Sequence, residues 1–132
     1  MGYTTEFEGA MKLTPALTME QTLEIDAFCE ARHGGNVDVH PGMPGFWCDW
    51  MVDVRGGAAD RLTWNGTEKS YEMDAWLDLL IQQFFKPWGV KVTGKMFAQG
   101  ENPTDRWTMQ VGDDQHVMVE RLPSFEALGV TY

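Results

Sequence analysis

Residues 62–89, LTWNGTEKSYEMDAWLDLLIQQFFKPWG, decide how this chain folds. Met73, Trp76, Leu77, Leu80, Ile81 and Phe84 recur at the spacing of one helical face, while Asp74, Asp78, Gln82 and Gln83 occupy the other side. Ser70 has the side chain of an N-cap, and Glu72 and Asp74 follow it, where the helix dipole favours negative charge. Pro87 stops the helix, and Trp88 and Gly89 turn the chain away. Upstream, Arg61 to Trp64 reads as a strand ended by the turn signal Asn65-Gly66. A helix this apolar needs a surface to cover, so the remaining segments must supply one.

Working outward, the pattern becomes one of strands. Tyr3 to Leu13 alternates, with Thr5, Phe7, Met11 and Leu13 to one side and Glu6, Glu8 and Lys12 to the other. Thr18 and Gln21 form a capping-box pattern at the start of a helix over 19–33, whose apolar positions are Leu23, Ile25, Ala27, Phe28 and Cys29. Phe46 to Val54 alternates again: Phe46, Cys48, Trp50, Val52 and Val54 face inward, and Trp47, Asp49, Met51 and Asp53 face outward. The spacing to Arg61 predicts a hairpin. Three more strands follow, at 90–99, 106–111 and 116–121, with Trp107, Met109 and Val111 inward in the second. The order β-α-β-β-α-β-β-β predicts a single α+β domain over 1–132: a two-layer sandwich of a mainly antiparallel sheet with two helices on one face. A Gly/Pro-rich loop at 34–45 and a tail at 123–132 lie outside those elements.

Composition narrows the function classes. The 132 residues are 43% hydrophobic with six Trp and seven Phe, enough for one packed core. Twenty acidic against ten basic residues give a net charge of −10, which disfavours direct nucleic-acid binding and suits either simple solubility or a basic partner. No apolar run is long enough for a membrane span, no signal peptide is expected, and Glu6 breaks the myristoylation pattern opened by Met1-Gly2. Cys29 and Cys48 read as buried free thiols, with a single disulfide as the lesser alternative.

The segments GYTTEFEG, GFWCDW, 62–89 and GENPTDRW resemble a family of small uncharacterised proteins of tailed bacteriophages and prophages. Its pattern runs G-Y-x-T-x-F-x-G, W-x-G-x-E-K-x-Y, W-L-x-x-L-I, P-W-G and G-E-x-x-x-D-x-G. Trp107 departs from it where the family has Gly, and the loop before Phe46 is shorter than the pattern expects. The resemblance implies phage origin and a place in the cytoplasm of an infected bacterial host; it implies no activity.

Catalytic chemistry finds little support. Asp49, Asp53, Glu68, Glu101 and Asp105 are oxygen donors of the type a divalent cation takes, but open-face carboxylates are ordinarily solvated and no His stands at ligand spacing. His33, His40 and His116 are far apart, Ser70 and Ser124 sit in no nucleophile elbow, and no phosphate-binding loop is present. No cofactor and no metal is expected. Two binding surfaces remain. Trp47 and Phe97 fall on the outward sheet face, with Arg61, Lys91, Lys95 and Arg106, where burial alone predicts polar residues. Trp64, Glu68, Lys69 and Tyr71 read either as a packed turn or as the edge of an aromatic-lined pocket for a small ligand or nucleotide. The leading expectation is a non-enzymatic accessory protein that binds a host protein, by acidic mimicry of nucleic acid in one version; a homodimer is compatible with the same surfaces.

Overall fold

The computed structural model describes residues 4–31, 47–54, 57–67 and 70–122. Its elements are β1 (Thr5–Glu8), β2 (Met11–Thr14), α1 (Met19–Glu30), β3 (Trp50–Asp53), β4 (Arg61–Trp64), α2 (Met73–Leu80), β5 (Lys91–Thr93), β6 (Lys95–Gly100), β7 (Arg106–Val111) and β8 (Val117–Arg121). The class is α+β and every strand pairing is antiparallel. The loop at 34–45, the tail, His33, His40, Phe46, Glu68 and Lys69 lie outside the described residues.

The strands form two four-stranded sheets, ordered β1-β6-β7-β8 and β3-β4-β2-β5. The expected strand over 3–13 is cut at Gly9 (φ 106°), and the one over 90–99 at Gly94 (φ 130°). Pairing nevertheless keeps step through the cut. Glu8 opposes Phe97 in the first sheet and Lys12 opposes Thr93 in the second, so four residues advance on one side for four on the other. The same two arms of chain therefore pair on both sides of a corner, in one register, and contribute to both sheets, as strands do where sheets fold over. Each glycine lies against the opposite strand at the corner. A Cβ on Gly94 would stand 3.1 Å from the Ala10 carbonyl oxygen, and one on Gly9 would stand 3.2 Å from that of Lys95.

The inner faces of both sheets and the two helices share one core, which includes Met11, Leu13, Leu62, Val92, Met96 and Met109. Alternation in β1, β2 and β6 follows the sequence reading: inward residues are buried and outward ones exposed. Trp107 is half-buried, with its ring edge-on to Phe7 at 5.7 Å. Val54 is 53% exposed rather than inward, because β3 ends at Asp53.

α2 contacts β3, the outer strand of one sheet, and β8, the outer strand of the other. Its buried residues Met73, Trp76, Leu77 and Leu80 are those of the sequence stripe. The stripe then shifts: Ile81–Phe85 forms a π-helical turn, with the Lys86 N–H donating to the Ile81 carbonyl at 2.8 Å. A wider turn advances each residue through a smaller angle, so Phe85 rather than Phe84 swings to the centre of the core. Ser70 does not cap this helix. The N-cap is Glu72, in the left-handed region with φ 56°, and makes no side-chain capping bond.

α1 starts as expected, with the Gln21 N–H donating to Thr18 Oγ1 at 3.1 Å and the Thr18 N–H donating to Gln21 Oε1 at 3.0 Å. It buries only Ile25 and Cys29, while Leu23 is 61% exposed and Ala27 faces solvent. Phe28 locks it to α2 and the π turn that follows, ring against ring with Trp76 at 6.0 Å and Phe84 at 5.0 Å.

Candidate functional site

Where α1 ends against β3, a depression of about 610 Å³ opens. The last helical turns supply Asp26, Cys29 and Glu30, which share a face because they are three and four residues apart. The segment entering β3 supplies Trp47 and Asp49, and the turn after β4 supplies Asn65. Trp47 is 51% exposed, whereas Asp49 is buried. None of the described residues lining the depression carries a positive charge.

Asp49 corrects the sequence reading, which put it outward beside Asp53. It leaves the alternation because it lies in the irregular approach to β3, where its carbonyl accepts from the Asn65 N–H at 3.0 Å. Asn65 Nδ2 also donates to Asp49 Oδ1 at 3.5 Å. Desolvation raises the Asp49 pKa above the ordinary carboxylate value, and the hydrogen bond from Asn65 holds the rise in check. Asp26 is raised too, by burial and then by the neighbouring Glu30 charge. Three carboxylates beside a half-exposed indole suit a cation: charge draws it in and the ring face accepts it.

The other candidates scatter over the surface. Phe97 is 50% exposed, with Lys95 Nζ 5.8 Å from its ring centre, and lines a separate depression of about 340 Å³ with Glu8 and Arg106. Trp47 and Phe97 thus do not share a platform: Trp47 lies in the segment entering β3 of one sheet, Phe97 in β6 of the other, and they line separate depressions. Glu101 Oε1 accepts from the Thr4 N–H at 2.7 Å, Asp105 Oδ1 pairs with Arg121 Nη2 at 2.6 Å, and Asp53 is half-buried opposite Arg61.

Around Trp64 the polar groups turn inward. Trp64 Nε1 donates to Ser70 Oγ at 2.8 Å, and the Ser70 hydroxyl donates to the Thr67 carbonyl at 2.8 Å. The Trp64 ring is tilted against Phe7 at 5.6 Å. Tyr71 is exposed and lines a depression of about 370 Å³ with Trp107, Asp105 and Arg121. Among the described residues no three His, Cys, Asp or Glu side chains converge as a metal site.

Sequence reasoning missed Asp26, Cys29 and Glu30 as companions of Trp47. Their common helix face was readable from spacing, but which strand that face would meet was not. No helix among the described residues is long and apolar enough to cross a membrane. Comparison with protein-family models, curated proteins and solved structures finds no match.

Proposed function

We propose that the chain is a non-enzymatic accessory protein of phage origin that engages a basic surface of a host protein through the depression between α1 and β3. The observation carrying this reading is the juxtaposition of Trp47 with Asp26, Glu30 and Asp49. A lysine or arginine side chain entering there gains Coulomb attraction from an overall charge of −10 and a ring face to lie on. Acidic mimicry of nucleic acid is the version in which the partner's basic site ordinarily holds phosphates. The alternative, a small-ligand pocket at Trp64 and Tyr71, draws less support, because the Trp64 N–H is already spent on Ser70 and Asp105 on Arg121.

The test is capture from infected-host lysate with the full chain as bait, read by mass spectrometry, beside a titration with a deca-arginine peptide. Trp47→Ala and Glu30→Gln should weaken both, and Phe97→Ala should weaken neither. Binding should fall steeply between about 0.05 and 0.3 M salt. Equal binding by wild type and Trp47→Ala would remove the proposal, and salt-insensitive binding would remove the electrostatic part of it.

A further inference from the structure

Cys29 and Cys48 lie nineteen residues apart in sequence, yet their sulfurs stand 3.5 Å from each other. Cys29 is on the inward face of α1, one turn after Ile25, and Cys48 points inward from the segment entering β3. A disulfide requires about 2.05 Å between sulfurs, so bonding the two asks for a further approach of about 1.5 Å. The two thiols also differ in access. Cys29 lines the depression, whereas Cys48 is fully buried behind it.

We infer that Cys29 and Cys48 are a dithiol that a small-molecule disulfide oxidises to an intramolecular bond, tying α1 to the segment entering β3 beside the depression. The Cys29 thiolate attacks one sulfur of the reagent and expels a thiolate, giving a mixed disulfide. The Cys48 thiolate then attacks the Cys29 sulfur and expels the second thiol. The protein loses two protons and two electrons, and the reagent gains both to become two thiols. The hydrogen bond with Cys48, burial, and the Asp26 and Asp49 carboxylates push the Cys29 thiol up from its ordinary pKa, so the first step is slow at neutral pH. This inference stands apart from the proposed binding function, since its readouts are mass and melting temperature.

The experiment treats the full folded chain with oxidised glutathione, quenches with an alkylating reagent under denaturing conditions, and reads intact mass. The expected product is a monomer lighter by about 2 Da that resists alkylation and melts about 5 °C or more above the reduced protein. Cys48→Ala should stop at one glutathione carried on Cys29. Full alkylation of both cysteines after treatment would overturn the inference, as would a persistent glutathione adduct or a disulfide-linked dimer in the wild type. An oxidised monomer melting below the reduced one would overturn it too, because the bond would then distort α1 and the segment entering β3 rather than fit them.

Discussion

The side-chain amide of Gln115 grips the backbone of Val92 on both sides: the Val92 N–H donates to Gln115 Oε1 at 2.8 Å, and Gln115 Nε2 donates to the Val92 carbonyl at 3.0 Å. One amide thus stands in for a neighbouring strand along β5, whose other side is paired with β2. Gln115 holds φ 60° in doing so, and its own carbonyl accepts from Gln82 Nε2 at 2.8 Å. The helix, the turn before β8 and the middle of β5 are joined at one residue.

Gln115→Ala should lower stability by about 1–3 kcal/mol, because it leaves the Val92 N–H and C=O without these partners in a partly buried place. Urea unfolding should show a lower midpoint with an unchanged slope. An unchanged midpoint would mean that water replaces the amide at no cost.

Gly94→Ala should cost more than Gly66→Ala. Both glycines have positive φ, 130° and 85°, but only the Gly94 Cβ would press on a carbonyl oxygen, at 3.1 Å. About 1–3 kcal/mol of backbone strain is expected at Gly94 before the crowding is counted. Equal midpoints for the two variants would show that the corner relaxes freely.

The π turn makes a prediction opposite to a plain helix stripe. Phe85→Ala, at a fully buried ring, should cost about 3–5 kcal/mol, and Phe84→Ala, at a half-buried one, clearly less. A regular helix would place Phe84 centrally and reverse the order.

Asp49 and Asp26 have pKa values raised above 3.8, so the folded chain holds protons there that the unfolded chain has already released. Stability from these groups is fully present below 3.8 and is lost as pH rises through the folded-state values. Asp49→Asn should flatten that part of the stability profile and leave the protein no less stable at pH 7. A steeper profile would place the dominant titration elsewhere.

How much was legible follows from the range of each interaction. Local patterns succeeded: the Thr18–Gln21 box, the inward faces of β1, β2 and β6, and the first two turns of the α2 stripe are set by residues within a few positions of each other. Features decided by distant packing did not show. Gly9 and Gly94 each resemble an ordinary strand glycine until the other strand lies beside them. Asp49 matched the outward period until the Asn65 turn folded over it, and Ser70 matched an N-cap until the Trp64 indole claimed its hydroxyl. The site shared the same fate, since α1 had to meet β3 before Asp26 and Trp47 became neighbours.

The ladder that rounds the corner at Gly9 and Gly94 without losing count leaves the molecule no seam along which to divide. Deleting a single residue on either arm would turn apolar side chains outward in whichever half lay beyond the deletion. Heat should accordingly melt both halves together, in one transition seen alike by indole fluorescence and by amide circular dichroism.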